Sequence, residues 1–156
     1  MTPEFILDLR KKIGHTELWL PGVTAIILKG DEVLLVKRSD NGEWTPVTGI
    51  CDPREEPHVT AVREAKEETG LEVAVEKLLW VQAVGPVEYP NGDVTSYVDT
   101  AFVCRPTADT DPYPADDEST DVAWFHVKHL PPMQPRFSHL IQAAREGISG
   151  FGSQNS

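Results

Sequence analysis

Cysteine, positive charge and long apolar runs are all scarce in this chain of 156 residues. Its two cysteines, Cys51 and Cys104, belong to no C-x-x-C pair and no dense disulfide framework, which favours unbridged thiols in a reducing compartment. No apolar run approaches the roughly 18 residues of a membrane-spanning helix, and charged residues interrupt the N-terminal segment 1–14. We therefore expect a cytoplasmic protein that is neither exported nor inserted in a membrane.

The charge balance is strongly acidic, with 14 Lys and Arg residues against 25 Asp and Glu residues and a net charge of −11. Binding to a nucleic acid duplex needs clustered basic side chains that neutralise phosphates, so this class of partner is not expected. A small phosphate ester still suits an acidic pocket when a metal ion neutralises its charge. The histidines share no ligand spacing, which argues against a zinc enzyme.

The most informative segment runs from Gly49 to Leu71 and reads G-I-C-D-P-R-E-E-P-H-V-T-A-V-R-E-A-K-E-E-T-G-L. The glutamates at positions 64, 67 and 68 are spaced i, i+3 and i+4, so they share one face of a helix. Neighbouring acids repel unless a cation compensates them, and carboxylate oxygens are the hard ligands that Mg²⁺ or Mn²⁺ prefers. The alternative is a solvated helix whose acids only face water.

The spacing G-x5-E-x7-R-E-A-x-E-E-x-G-L within this segment resembles the signature of the Nudix hydrolases at every defined position. The resemblance implies an enzyme that uses water and Mg²⁺ or Mn²⁺ to cleave a pyrophosphate bond in a nucleoside diphosphate linked to another moiety. It also implies the α/β/α sandwich of that family and a small-molecule nucleotide as substrate. Dimers are frequent among similar proteins, so a homodimer is a further expectation, although one chain indicates no interface.

The resemblance gives a role to each acid of the helix and to the arginine before them. Glu64, Glu67 and Glu68 correspond to the metal ligands, and Glu64 occupies the position that in some members also helps to activate the attacking water. Arg63 corresponds to the arginine that orients a motif glutamate through a forked ion pair. These four residues are the predicted catalytic set.

The loop before the helix adds three candidates. Glu55 resembles an outer metal ligand or an acid that orders the loop. The carbonyl of Thr48 or Gly49 is expected to add a metal oxygen, because glycine permits close approach of the backbone. Arg54 stands where many members have glycine and is a candidate for binding a substrate phosphate. The alternative for Arg54 is an exposed ion pair with a neighbouring acid.

Residues outside the segment supply the other substrate-binding candidates. Arg38, at a strand end that opens toward the same loop, suits a phosphate, and Trp44 and Tyr89 border loops where an aromatic ring can stack on a nucleobase. Trp124 lies in an apolar strand and is expected in the core. In the family a downstream acid completes the water-activating site. Among the acids at 116, 117, 118 and 121 we favour Glu118, the alternative being a solvated acidic loop.

Two residues beyond the motif indicate different substrates. Pro86 lies where ADP-ribose pyrophosphatases have a proline, and Tyr89 lies where dinucleoside polyphosphate hydrolases have a tyrosine. Pro86 tilts the prediction toward ADP-ribose or another nucleotide sugar. The alternatives are a (d)NTP pyrophosphohydrolase of the nucleotide pool and a non-catalytic nucleotide-binding domain. The full set of motif acids argues against the non-catalytic alternative.

The remaining patterns predict one domain over residues 1–146 with an N-terminal helix, followed by a flexible C-terminal tail at 147–156. Helices are predicted at 3–13, 57–69 and 134 or 135 to 145, and strands at 23–29, 32–37, 72–84, 94–105 and 122–127. The first two strands, and the two strands around the turn at 90–93, form predicted antiparallel hairpins. The predicted fold is therefore α+β, with a mixed, mostly antiparallel curved sheet between helices.

Overall fold

The structure is a computed structural model that describes residues 2–153. Its α-helices span Glu4–Ile13 (α1), Pro57–Thr69 (α2) and Pro135–Glu146 (α3). A proline begins both α2 and α3, and a glycine in the left-handed conformation ends each of them, which is why the helix boundaries could be predicted closely. No helix within residues 2–153 is long and apolar enough to cross a membrane.

Eight strands in the described part of the chain form one mixed sheet. They span Leu18–Lys29 (β1), Glu32–Arg38 (β2), Trp44–Thr45 (β3), Val47–Ile50 (β4), Val73–Glu88 (β5), Val94–Pro106 (β6), Ser119–His126 (β7) and Gly150–Phe151 (β8). The strand order is β3-β2-β1-β6-β5-β8, with β4 paired to β1 and β7 paired to β2. Parallel pairing occurs between β1 and β6 and between β5 and β8, and the other pairs are antiparallel.

The predicted hairpins are confirmed, but the strands are longer than the sequence indicated. β1 begins at Leu18 rather than at residue 23, because its first half has a ladder partner in β6 from Thr95 onward. Only the last two residues of β1 pair with β2. Along its length, β2 pairs with β7. β5 extends to Glu88, and the turn to β6 closes with a hydrogen bond of 2.9 Å from Tyr89 N to Asp93 O.

The sheet carries a buried apolar layer on each face, as the predicted α/β/α sandwich requires. Alternate residues of β1 and β2 enter opposite layers, because side chains along a strand point to alternate faces. The layer under α2 contains Ala25, Ile27, Leu34, Val36, Val47, Ala61, Ala65, Phe102 and Cys104. The layer under α3 contains Ile26, Val33, Leu35, Leu79, Ala101, Val103, Phe137, Leu140 and Ile141.

The segment after α3 differs from the predicted flexible tail. Its strand β8 pairs with β5 beside Trp80 and Val81. Trp80 Nε1 donates a hydrogen bond of 2.7 Å to Gly152 O, and Ser149 Oγ donates one of 2.9 Å to Leu78 O. These contacts place the segment up to Gly152 against the sheet, whereas residues 154–156 of the predicted tail lie outside the described range.

Candidate metal and pyrophosphate site

The predicted acids lie where helix α2 packs against β1 and β4. The buried side of α2 comprises Thr60, Ala61, Ala65, Glu68 and Thr69. Small side chains let the helix approach the sheet closely, and this brings the carboxylate of Glu68 into a buried position with a relative exposure of only 7%. Glu67 lies on the outer side of the helix, with about half of its side chain exposed.

Arg63 is the centre of an ion-pair network that joins three of the predicted acids. Its Nε and Nη2 donate hydrogen bonds of 2.9 and 2.8 Å to the two carboxylate oxygens of Glu55. Its Nη1 donates to Glu64 Oε1 at 3.0 Å and to Glu67 Oε2 at 3.2 Å. The hydrogen bonds from Arg63 are the main reason why the pKa of Glu55 falls to about 2. Arg63 thus makes its two-nitrogen, forked contact with Glu55. Its third nitrogen, Nη1, contacts both Glu64 and Glu67 of the helix.

Glu55 also fixes the loop that precedes α2. Its Oε1 accepts hydrogen bonds from Thr60 Oγ1 at 2.6 Å and from Asp52 N at 3.2 Å. Arg63 Nη2 adds a bond of 3.3 Å to the carbonyl of Ile50, at the end of β4. The loop, the end of β4 and the helix are therefore tied together through one carboxylate and one guanidinium.

Gly49 is the residue of β4 that faces the acids. A Cβ at this position would lie 2.7 Å from Glu64 Oε1 and closer still to Cγ and Cδ of the same side chain. Only a residue without a side chain leaves this space to Glu64. The bare backbone of Gly49 and the carboxylate of Glu64 consequently lie in direct contact.

Glu64 and Glu68 are the two acids whose ionisation the fold opposes. Burial is the main cause in both cases, and it raises the pKa of Glu64 to about 7 and that of Glu68 to about 9. The negative charges of Glu64 and Asp116 raise the pKa of Glu68 further, whereas Arg38 lowers it. A buried Glu68 and a partly buried Glu64 that raises its pKa are a suitable environment for a cation.

The residues present fit a divalent metal in their chemistry, although the acids are not gathered as a ligand set in this arrangement. Within residues 2–153, no three Asp, Glu, His or Cys side chains form a group that could hold a metal ion. Glu64 and Glu67 are directed to Arg63 instead. The hard oxygen donors, the close approach at Gly49 and the buried carboxyl group of Glu68 are the features that suit Mg²⁺ or Mn²⁺.

Among the predicted substrate-binding residues, Arg38 and Tyr89 lie near this site, whereas Trp44 is partly buried against the apolar layer under α3. Arg38 pairs with Asp40 through hydrogen bonds of 2.9 and 2.7 Å, and it is close enough to Glu68 to affect the pKa of that acid. The hydroxyl of Tyr89 shares a hydrogen bond of 2.6 Å with that of Tyr97. Trp44 packs edge-on against Phe125, with ring centroids 4.9 Å apart, in the layer under α3.

The other two predicted residues, Arg54 and Glu118, lie in loops. Arg54 is exposed and adopts a positive φ of 68°, which only a few residue types other than glycine tolerate. The carbonyl of Glu118 accepts hydrogen bonds of 2.9 Å from the backbone and the hydroxyl of Ser39. This contact joins the acidic loop to the end of β2, next to Arg38.

Sequence reasoning gave no reason to prefer Asp116 among the acids of that loop. Tyr113 N donates to Thr69 O and Ala115 N donates to Glu68 O, each at 3.0 Å. A Cβ on Gly70 would lie 2.8 Å from Cζ of the Tyr113 ring, so the ring covers the glycine that ends α2. The loop is thus attached to the end of the helix, and Asp116 raises the pKa of Glu68 by its negative charge.

The sequence is similar to known proteins of one family. The NUDIX domain family model matches residues 18–144. The human (Homo sapiens) 8-oxo-dGDP phosphatase NUDT18 is 35% identical over 151 residues, which cover 92% of this chain and 42% of that protein. The NAD-capped RNA hydrolase NudC of Pseudomonas aeruginosa is 30% identical over 143 residues, which cover 83% and 46%. The chain spans less than half the length of either relative.

The fold is also similar to that of a solved structure. An ADP-ribose pyrophosphatase from Streptococcus suis superposes with a TM-score of 0.67 at 23% identity, covering 86% of this chain and 98% of the other. At this level of identity the likeness shows the fold.

Proposed function

Because the chain belongs to the Nudix family, we propose that it hydrolyses the pyrophosphate bond of a nucleoside diphosphate linked to another moiety, in the presence of Mg²⁺ or Mn²⁺. The observation that carries the proposal is the contact of Glu64 with the bare backbone of Gly49, together with Glu68, which is buried on the same helix. A divalent cation between them would offset both the burial and the repulsion of the two acids.

The residues that would hold the metal are Glu68, Glu64 and the carbonyl of Gly49, with Glu67 on the outer side of the helix and Glu55 behind Arg63. When bound, the metal neutralises charge on the phosphate oxygens and lowers the pKa of a bound water. As the family resemblance implies, Glu64 would also help to take a proton from the attacking water. Arg63 positions Glu64 through its hydrogen bond to Oε1.

An acid from the loop that follows β6 would complete the water-activating site. The sequence favoured Glu118 for this role. The electrostatic effect of Asp116 on Glu68 supports Asp116 as a second candidate, because it acts directly on a predicted metal ligand. Both residues lie on the loop that is attached to the end of α2 through Glu68 O.

Arg38 is the proposed phosphate-binding residue, because its guanidinium lies near Glu68 and presents a planar set of donors. A phosphate would compete for these donors with Asp40, which binds them now. Arg54 and Tyr89 remain proposed substrate-binding residues. Trp44 is a weaker candidate for stacking on a nucleobase, since its ring already packs against Phe125.

Two substrate classes have a specific observation in their favour. Pro86 supports ADP-ribose or another nucleotide sugar through the family resemblance. The identity of 35% with a protein named 8-oxo-dGDP phosphatase supports a guanine nucleoside diphosphate. A (d)NTP pyrophosphohydrolase of the nucleotide pool is the remaining enzymatic alternative, and a non-catalytic nucleotide-binding domain is the alternative without turnover.

A substrate panel tests the proposed function directly. The purified protein is incubated with ADP-ribose, other nucleotide sugars, 8-oxo-dGDP, dinucleoside polyphosphates and (d)NTPs, with Mg²⁺ or Mn²⁺, and products are identified by mass. We expect the products of one pyrophosphate bond cleaved by water. Nucleotide binding without turnover of any panel member would instead support the non-catalytic alternative.

The homodimer and the cytoplasmic location also remain proposals. Light scattering coupled to size-exclusion chromatography tests the first, and fractionation of the native host tests the second. The single-domain organisation over residues 1–146 is tested by limited proteolysis, which should leave these residues in one resistant fragment.

A further inference from the structure

The loop between β6 and β7, residues 107–118, is held to the rest of the molecule at three places. At its start, the backbone N and the hydroxyl of Thr107 donate hydrogen bonds of 3.0 and 3.2 Å to Glu72 O. At its end, Glu118 O accepts bonds of 2.9 Å from the backbone N and the hydroxyl of Ser39. The third place is the middle of the loop, which lies against the C-terminal end of α2.

The middle of the loop, residues 111–115, reads D-P-Y-P-A, and we call it the clamp segment. A helix leaves its last four carbonyls without donors of its own. Two carbonyls of the last turn of α2 receive donors from the clamp segment, because Tyr113 N bonds to Thr69 O and Ala115 N bonds to Glu68 O, each at 3.0 Å. The clamp segment therefore completes the hydrogen bonding at the end of the helix.

The prolines of the clamp segment favour this arrangement. Pro112 and Pro114 have no N–H group, so the N–H groups at 113 and 115 are the two backbone donors that positions 112–115 possess. Both are bonded to α2. Proline also restricts the free backbone, which reduces the conformational entropy that the loop loses when it is fixed on the helix.

The side chain of Tyr113 adds a second contact with the end of α2. A Cβ on Gly70 would lie 2.8 Å from Cζ and 3.0 Å from Cδ1 of the tyrosine ring, so the ring lies directly on the bare backbone of this glycine. Tyr113 nevertheless has a relative exposure of 58%. Burial in an apolar core therefore does not explain an aromatic residue here, whereas contact with the helix end does.

The acid that follows the clamp segment lies beside a predicted metal ligand. Asp116 comes directly after Ala115, whose N–H is bonded to the backbone of Glu68. Asp116 Oδ1 accepts a hydrogen bond of 3.1 Å from Glu118 N, which holds this carboxylate within the loop. The negative charge of Asp116 acts on the carboxyl group of Glu68. The position of Asp116 thus depends on how the clamp segment is fixed on α2.

We propose that Tyr113 is a positioning residue, which fixes the loop on α2 and thereby places Asp116 where it can orient the attacking water. The inference rests on the proposed function, because it explains how an acid of the loop reaches that site. Since the ring lies on Gly70, beyond the last acid of α2, its effect on the reaction passes through the position of the loop. A displacement of about 1 Å in a group of this kind can lower the rate by about 100-fold.

Truncation of Tyr113 should lower kcat with little change in KM. Tyr113→Ala removes the ring from Gly70 and should reduce kcat at least about tenfold. KM should stay within about twofold of the wild type, because the ring is not assigned to substrate binding. Tyr113→Phe keeps the ring and should have the kcat of the wild type. Phe151→Ala, the truncation of an aromatic residue that is 86% exposed on β8, is the control.

Two results of these kinetics would overturn the inference. One is a wild-type kcat in Tyr113→Ala. The other is a loss in Tyr113→Phe as large as that in Tyr113→Ala, because the hydroxyl and not the position of the ring would then be responsible.

A double-mutant cycle tests whether Tyr113 acts through Asp116. Adding Tyr113→Ala to Asp116→Asn should lower kcat no further than Asp116→Asn alone, because the group that Tyr113 positions is already lost. Losses that multiply in the double variant would contradict the assignment, since they would show two independent effects.

Hydrogen exchange of the metal-free protein measures the contact without turnover. The amides of Tyr113 and Ala115 should exchange slowly in the wild type and in Tyr113→Phe, and at least about tenfold faster in Tyr113→Ala. The melting temperature should stay level, since the side chain is largely exposed. Unchanged exchange in Tyr113→Ala would show that the ring does not fix the loop.

Failure of the inference is distinguishable from failure of the proposed function. Hydrolysis of the substrate panel by the wild type and equally by Tyr113→Ala would leave the proposed function standing and remove the role of Tyr113. No hydrolysis of any panel member would instead count against the proposed function, while the exchange rates still decide whether Tyr113 fixes the loop.

Discussion

Glu64 occupies the space that any side chain on Gly49 would need, since a Cβ there would lie 2.7 Å from Glu64 Oε1. The contact joins strand β4 to helix α2 beside one of the predicted metal ligands. It explains the glycine in physical terms, because the strand can approach the acid only without a side chain.

The substitution Gly49→Ala should therefore lower both stability and activity. The added methyl group overlaps the side chain of Glu64, and overpacking of this kind typically costs about 1–3 kcal/mol. In the background of Glu64→Ala the overlap is gone, so the same substitution should have little effect on the melting temperature. Calorimetry of the four proteins measures this coupling, and equal losses in both backgrounds would show that Glu64 is not the group displaced.

The loss of stability at acidic pH should depend on Arg63. Hydrogen bonds from Arg63 hold the pKa of Glu55 at about 2, below its unfolded value. A depressed pKa stabilises the folded state above the unfolded pKa, and this stabilisation is lost as the pH falls from about 4.5 to about 2. Arg63→Gln should thus lower the melting temperature at pH 7 and flatten its decline across that window.

The exposed Arg145, changed to Gln, is the control for this measurement. If the melting temperature of Arg63→Gln falls as steeply with pH as that of the wild type, a carboxylate other than Glu55 causes the loss of stability at acidic pH.

Glu68 should have the opposite effect on stability in the metal-free protein. Its pKa is raised to about 9, so the unfolded chain releases this proton first and the fold loses stability as the pH rises from about 4.5 to about 9. Glu68→Gln removes this loss, and its advantage in melting temperature over the wild type should grow across the window. The exposed change Glu56→Gln should show no such trend, and a constant difference between Glu68→Gln and the wild type would refute the assignment.

The two candidate acids of the loop after β6 can be separated by kinetics. Asp116→Asn should reduce kcat by roughly 100-fold if Asp116 orients the attacking water, with little change in melting temperature. Glu118→Gln should do so if the prediction from sequence is right, and Asp117→Asn is the exposed control. The electrostatic link to Glu68 leads us to expect the larger effect at Asp116. The reverse order would assign the role to Glu118.

Sequence reasoning succeeded where a local pattern determines the structure. Pro57 and Gly70 mark the two ends of α2, and the spacing of the acids on that helix follows from them. The turn between β5 and β6 was equally local, because Asn-Gly with its polar neighbours specifies a tight connection.

Local patterns of this kind could not predict contacts between distant parts of the chain. The parallel pairing of β1 with β6 joins segments far apart in sequence, and no local pattern in either strand indicates that the two pair. The short strand β8 depends on a surface of β5 around Trp80, so a Gly- and Ser-rich tail gave no sign of it. The burial of Asp99 was not predicted either, because β6 also carries Thr95, Ser96 and Thr100, and an acid among them gives no sign of being buried.

Binding of Mn²⁺ to the wild type and to Glu68→Gln, followed by electron paramagnetic resonance, tests the central claim that the acids of α2 hold a divalent metal. Glu56→Gln serves as the control of equal charge. We expect Glu68→Gln to bind Mn²⁺ at least about tenfold more weakly than the wild type, since a buried charged ligand is lost, and Glu56→Gln to bind it as the wild type does. Equal binding by all three proteins, or no binding by the wild type, would contradict the account.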